Sequence, residues 1–288
     1  MSNFMTHNNF YFSSDVLSLV NKYAGSIIVV KYGGSVMQNN HLKLKVIEDI
    51  CLLYYLGINI VLVHGGGIFV NQYLNKLGIE PNFHNGVRVT DSITMEIVEM
   101  VLSGKVNKNL VDLFNINNIP AVGLSGKDSK LIQASSLFND NMQNNLTGKV
   151  NMINSSIIHL LLSNKYIPVI ASIASDFKGL TYNINADTVA SAVASSLKAN
   201  KLVLLTDMPG ILSSLEDSST LIKNLNLNSI NELKNNGTIS GGMLPKVEAA
   251  VNALESGVNS VHIIDGRVQH SLLYEILTNN RIGSKIII

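Results

Sequence analysis

Five short stretches hold the residue types from which a chemical site could be built. The first, SIIVVKYGGSV (26–36), runs four β-prone apolar residues, Ile27 to Val30, into Lys31 and then into Gly33 and Gly34. A strand that is apolar on both faces belongs inside a parallel sheet, and a lysine at its end needs either solvent or an anionic partner. The second, His64-Gly65-Gly66-Gly67, ends a similar run, NIVLVH (59–64). Glycines in such strand-to-helix turns let main-chain N–H groups approach an anion closely, so both turns could cradle phosphate or carboxylate; chain reversal alone also calls for glycine. In NGVRVT (85–90), the planar fork of Arg88 suits a carboxylate, although a solvated surface arginine has the same local sequence. YNINAD (182–187) gathers Asn183, Asn185 and Asp187 at a helix entry, for a ligand or simply for an N-cap. SGGMLPK (240–246) sets Lys246 in the first turn of a helix, where the dipole disfavours a cation unless an anion is bound nearby.

Two common nucleotide fingerprints fail. Around Gly126-Lys127 a phosphate-binding G-x-x-x-x-G-K-[ST] loop would need glycine where Ala121 stands and a hydroxyl residue where Asp128 stands. HGGGIFV offers Gly65 and Gly67 but Val70 in place of the third glycine of a dinucleotide turn. The single cysteine, Cys51, falls in a helical apolar pattern with Ile47, Ile50 and Tyr54; it reads as a packing residue in a reducing compartment rather than as a nucleophile. No His or Cys cluster suggests a dedicated metal site.

The elements that must position these residues follow from periodicity. Strand-like runs at 26–31, 59–64, 120–124, 167–172, 201–206 and 260–265 alternate with helical patterns at 41–56, 91–103 (Asp91 as N-cap) and 245–256 (Pro245 near the start, Gly257 just past the end). The alternation predicts an α/β protein, a three-layer αβα sandwich around a mostly parallel, open central sheet. Segments 82–90 and 174–184 read as hairpins or excursions at the sheet edge, and the Asn-rich stretch 139–145 as a loop. A chain of 288 residues with 46% hydrophobic content can bury a large core, and no linker separates independent domains. The formal net charge is only +1 and no basic stripe occurs, which argues against nucleic acid as a partner. No apolar run nears the ~18 residues needed to span a bilayer, and the first 25 residues show no signal or transit pattern. The expected location is the cytoplasm, or a plastid stroma if the Asn/Ile/Lys bias reflects a plastid gene.

Taken in order, K-x-G-G-S (31–35), H-G-G-G (64–67), G-x-R-x-T (86–90), N-x-N-A-D (183–187), T-D-x-x-G (206–210) and G-G-M-x-x-K (241–246) make the chain from about residue 26 to 288 resemble the amino acid kinase superfamily, most closely the N-acetylglutamate kinases within it. The resemblance implies transfer of the ATP γ-phosphoryl group, with Mg²⁺, to the side-chain carboxylate of N-acetyl-L-glutamate in arginine biosynthesis. It implies an N-terminal helix extension (1–25), a lobe for the amino acid (about 26–190) and a lobe for ATP (about 191–288). Lys31 would stabilise the transferring phosphoryl group, Lys246 would neutralise charge on the nucleotide side as the bond to ADP breaks, and Asp187 would hold the two ammonium groups without accepting a proton. Gly66, Gly67, Arg88 and Asn183 would bind the acetylated amino acid. Gly33, Gly34, Thr206, Asp207, Gly210 and Gly242 would serve the nucleotide.

Two further segments resemble those of arginine-inhibited, hexameric members. These are the amphipathic pattern at 13–24 and HSLLYEILTNNRIGS (270–284), with Glu275 and Gly283 as candidates for the effector site and Arg281 where those members more usually have glycine. The resemblance thus implies a homo-oligomer (a dimer or a hexamer), arginine as inhibitor, and a PII-type signalling protein as a possible partner. Two alternatives stay open on the sequence. One is another kinase of the superfamily acting on aspartate, glutamate, carbamate or UMP. The other is a catalytically idle arginine sensor.

Overall fold

The computed structural model describes residues 14–84, 87–138, 145–214, 216–279 and 281–288. Residues 1–13 of the N-terminal extension, Asn85 and Gly86 of NGVRVT, and 139–144 of the Asn-rich stretch lie outside those described residues. In chain order the elements are α1 (Ser14–Tyr23), β1 (Ile27–Tyr32), α2 (Asn40–Tyr55), β2 (Asn59–His64), α3 (Gly67–Lys76), β3 (Phe83–His84), β4 (Val87–Arg88), α4 (Ser92–Glu99), a π-helical stretch (Met100–Val106), α5 (Asn107–Ile116), β5 (Ala121–Ser125), β6 (Ile132–Ser136), β7 (Gly148–Ile153), α6 (Ser156–Ser163) and β8 (Ile167–Ala171). They continue with β9 (Ile173–Ser175), β10 (Thr181–Asn183), α7 (Ala186–Ser196), β11 (Lys201–Thr206), β12 (Asn224–Asn226), α8 (Leu227–Asn235), α9 (Leu244–Glu255), β13 (Val261–Asp265), α10 (Ser271–Leu277) and β14 (Ser284–Ile287).

The main sheet has the order β12-β14-β13-β11-β1-β2-β8-β5 and is parallel except where β14 pairs antiparallel with β13. Its central strands are buried on both faces, as their unbroken apolar runs require. Along β1 the period of two divides the residues between the layers: Ile28, Val30 and Tyr32 pack with α2, α5 and α10, whereas Val29 packs with α7 and α9. Lys31 therefore shares a face with Val29 and points to the α7 side. This parity is what brings it to Asp187.

The predicted sandwich is observed, with three differences of detail. A second sheet, β10-β9-β6-β7, stands beside the first; 174–184 forms the β9–β10 hairpin, one of the two readings, within this sheet and not at the main edge. Its strands β6 and β7 escape a periodicity reading because β7 exposes much of its length and the two strands are joined through a register shift at Gln133/Ala134. The helix read at 91–103 ends its α-turns at Glu99, widens into the π-helical stretch and resumes as α5 to Ile116. Asp91 caps it as expected, accepting the Thr94 N–H at 2.7 Å. α9 begins beside Pro245 and ends before Gly257, whose φ of +97° needs glycine. Cys51 is buried in the first layer, where desolvation pushes its thiol up to about 11, so it is held as an unreactive thiol.

Candidate active site

The carboxyl ends of β1, β2 and β11 converge, as ligand-binding ends do in open α/β sheets. The Gly65 N–H donates to the Tyr32 carbonyl at 3.0 Å, which ties the two glycine turns together. Gly66 sits at the N-cap of α3 with φ +155° and no side chain capping the helix, so the first amides of α3 stay available to a ligand. A Cβ there would come within 2.7 Å of Leu102 Cδ2. Only glycine fits both the backbone and the wall behind it.

Asp187 opens α7, and the Asn185 side chain caps that helix by accepting the Asp187 N–H at 2.8 Å. The Asp187 carboxylate bridges two ammonium groups: Lys31 Nζ lies 3.0 Å from Oδ1 and Lys246 Nζ lies 2.9 Å from Oδ2. Burial raises the Asp187 pKa, but the charges and hydrogen bonds of Lys31 and Lys246 outweigh it and hold the carboxyl below its ordinary range. Burial lowers the Lys31 pKa, Asp187 opposes this, and the nearby Lys246 charge adds to it. With both oxygens committed to cations, Asp187 is a poor base. Two lysines sharing one carboxylate leave a net positive charge facing the glycine turns, which an incoming anion would neutralise.

Lys31, Gly33, Gly34, Gly66, Gly67, Arg88 and Asn183 line one cavity of about 240 Å³. Arg88 is fixed from below by Nη2, which donates to the Gly67 carbonyl at 3.3 Å and to Asn71 Oδ1, while the guanidinium lies 4.8 Å from the Phe83 ring centroid. Its Nη1 is buried without a partner. An unpartnered guanidinium nitrogen at a cavity wall is a built-in demand for a carboxylate. Asn183 donates to Thr90 Oγ1 at 3.1 Å, and Thr147 Oγ1 donates to the Arg88 carbonyl at 2.6 Å, so the strand bearing Arg88 is held in place. Thr147, Asn71 and Phe83 drew no notice in the sequence because none belongs to a motif.

On the nucleotide side the outcome is mixed. Thr206 ends β11, and Asp207 accepts from Ser35 Oγ at 3.4 Å, placing both beside the Gly34 turn. Gly242 lies in a short 3₁₀ turn, Gly241–Met243, that leads into α9, with open space around it. Gly210 has a packing reason for being glycine: at φ +149° a Cβ would meet Ser284 Oγ at 2.6 Å and Leu221 Cδ1 at 2.7 Å. Asp265 pairs with Arg267 at 2.8 Å at the end of β13.

At the opposite end of the same strands, Glu275 is buried. It accepts from His262 Nδ1 at 2.7 Å and from the N–H groups of Ile282 and Gly283 at 3.1 and 3.2 Å. Lys201, whose ammonium lies 3.2 Å from His262 Nε2 and 4.7 Å from the Tyr23 ring centroid, completes a cluster. Arg281 donates to Asn224 beside it.

The model of the amino acid kinase family matches residues 26–265. The chain belongs to the amino acid kinase family. Within that family it is 56% identical over 275 residues to the acetylglutamate kinase of Gracilaria tenuistipitata var. liui, and 49% identical to that of Porphyra purpurea, each alignment covering 96% of both chains. Among solved structures, N-acetylglutamate synthase from Neisseria gonorrhoeae, complexed with coenzyme A and N-acetyl-glutamate, superposes with a TM-score of 0.84 at 26% identity; the match covers 95% of this chain and 62% of the synthase. The amino acid kinase fold accounts for the parallel sheet and for the ligand-binding edge described above. No helix among the described residues is long and apolar enough to cross a membrane.

Proposed function

We propose that this amino acid kinase transfers the γ-phosphoryl group of ATP to the side-chain carboxylate of N-acetyl-L-glutamate, a step of arginine biosynthesis. The observation that carries the site assignment is the pair of ammonium groups on Asp187, set against a glycine cradle and an arginine with a free Nη1. The acceptor carboxylate has an ordinary pKa near 4.3 and is already ionised at neutral pH, so no general base is needed. The obstacle is repulsion between two anions and the charge spread over the transferring oxygens. Lys31 and the Gly33, Gly34, Gly66 and Gly67 amides meet the transferring group. Lys246 takes up charge on the departing ADP. Arg88 and Asn183 hold the α-carboxylate and orient the acceptor for in-line attack.

Thr206, Asp207 and Gly242 border the nucleotide, with Gly210 shaping the turn beneath. Mg²⁺ would come with ATP, held chiefly by its phosphates, since Asp187 is committed to the lysines and no group of three His, Cys, Asp or Glu residues among the described residues could hold the ion. The amino acid lobe (about 26–190) and the ATP lobe (about 191–288) meet along α7. A dimeric or hexameric assembly, inhibition by arginine at Glu275 and Gly283, a PII-type partner, and a cytoplasmic or plastid location complete the reading.

The test is an ADP-release assay with N-acetylglutamate, aspartate, glutamate, carbamate and UMP as acceptors, with and without arginine. Turnover of N-acetylglutamate that arginine suppresses is expected. Turnover of aspartate or UMP with none of N-acetylglutamate would overturn the assignment.

A further inference from the structure

Behind the Gly66 turn lies a buried polar chain that none of the roles above uses. His64 ends β2, is fully buried, and has its Nδ1 2.8 Å from the Gly65 carbonyl oxygen. A carbonyl can only accept, so Nδ1 carries the proton and the neutral ring offers Nε2 as an acceptor. Asn107 answers it: its Nδ2 stands 3.0 Å from His64 Nε2, 2.9 Å from the Val169 carbonyl and 3.3 Å from the Leu124 carbonyl. Its Oδ1 receives Lys108 Nζ at 3.2 Å. Acceptors around Nδ2 and a donor at Oδ1 leave a single sensible amide orientation. Burial keeps the ring neutral, pushing its pKa down to about 4.

The surrounding structure is arranged to admit this pair. Asn107 directly follows the π-helical stretch, whose widened turn sets Leu102 and Val106 against Gly66 and places Asn107 beneath β2, β5 and β8. In β5 a Cβ on Gly123 would fall 1.9 Å from Asn107 Oδ1. That glycine makes room for the amide.

We propose that Asn107 and His64 are positioning residues for phosphoryl transfer, holding the Gly65–Gly66 peptide so that the Gly66 N–H faces the reacting oxygens. In a trans peptide the C=O and N–H point in opposite directions. Pinning the Gly65 carbonyl to the buried ring therefore aims the Gly66 N–H away from it, at the cavity that Gly65, Gly66 and Lys31 line. Two adjacent glycines would otherwise rotate this plane at little cost. The inference rests on the role given to Gly66 above.

The experiment compares His64→Leu, which removes the donor, with His64→Asn, whose Nδ2 can occupy the place of Nδ1. His64→Leu should lower kcat by ~10- to 100-fold, less than deleting a preorganised donor outright, and leave the KM for ATP nearly unchanged. His64→Asn should recover most of that loss. Equal kcat values for the two variants would overturn the relay and leave His64 as packing. In the wild-type protein, ¹⁵N NMR of the ring should show the neutral Nδ1–H form at pH 7; the Nε2–H form or an imidazolium would overturn it independently of any variant. Asn107→Ala should populate the Nε2–H form and lower kcat in the same sense, and no change in either would remove Asn107 from the relay. Lys31→Ala in the same assay separates the two levels. If it keeps full turnover, the active-site reading fails and takes the relay with it; if it is inactive while His64→Leu is unaffected, only the relay fails.

Discussion

Two buried lysines sit at opposite ends of the same sheet, and their surroundings differ in what they leave unsatisfied. Lys31, at the end of β1, shares Asp187 with Lys246, and the group opens onto a cavity that also holds an unpartnered Arg88 nitrogen. Lys201, at the start of β11, faces a neutral His262 whose Nδ1–H donates to Glu275, whose other oxygen is taken by main-chain N–H groups, and the Tyr23 ring covers the ammonium. Burial lowers both lysines, Lys201 to about 8. The upper group sets Lys31 and the free Arg88 nitrogen at the wall of an open cavity, with Asp207 also acting on Lys31, as a site that receives an anion must. The lower group pairs its own polar atoms while Lys22, Arg281 and Lys285 add positive charge around it, which suits a structural or effector-responsive element.

Removing one lysine from each end separates the two groups most strongly. Lys31→Ala and Lys246→Ala should each reduce kcat by ~100- to 1000-fold with the fold intact by circular dichroism, because each deletes charge aimed at the transition state. Lys201→Met, assayed without effector, should stay within ~3-fold of wild type, a barrier change below 1 kcal/mol. A large loss in Lys201→Met would erase the distinction. Next in size is Arg88→Lys, which keeps a charge but loses the fork; the KM for N-acetylglutamate should rise ~10- to 100-fold at nearly constant KM for ATP. A change confined to ATP would place Arg88 on the wrong substrate.

At the lower end, Glu275→Gln leaves buried N–H groups imperfectly matched. It should cost about 1–3 kcal/mol in chemical denaturation without lowering kcat. A separate prediction concerns the pH dependence of stability. His64 and His262 are pushed down to about 4 by burial, below the ordinary 6.5, so below pH 6.5 the unfolded chain binds protons that the fold refuses. Their contribution is complete above pH 6.5 and is lost as pH falls toward 4. Asp49, raised to about 6 by burial against the pull of its His270 partner, acts in the opposite sense and offsets part of this loss. The melting temperature should still fall from pH 6.5 to 4, and His262→Asn should flatten that slope.

How legible each end was follows from how local its signals are. Lys31, Arg88, Asp187 and Lys246 each end or begin an element inside a short motif, so residue type and spacing exposed them. The lower cluster assembles Lys201, His262 and Glu275 from three elements with no motif, and only Glu275 was picked out, through family resemblance. His64 was seen only as the start of a glycine turn, because Asn107, which gives it a role, lies 43 residues away. Strands β1, β2, β8, β11 and β13 were legible because parallel strands buried on both faces read as apolar runs. The short strands β12 and β14 and the exposed β7 carry no such pattern, and the π-helical stretch has no sequence rule that separates it from an α-helix.

In this mechanism the two ammonium groups on Asp187 act on the transition state rather than on bound ATP. It is tested most directly by comparing how wild type and Lys31→Ala bind two ligands: a non-hydrolysable ATP analogue, and ADP with aluminium fluoride and N-acetylglutamate as a mimic of the transferring phosphoryl group. Lys31→Ala should weaken the second complex by the factor lost in kcat/KM, ~100-fold or more, while the first changes by less than ~10-fold. Equal weakening of both complexes, or no weakening of the second, would contradict it.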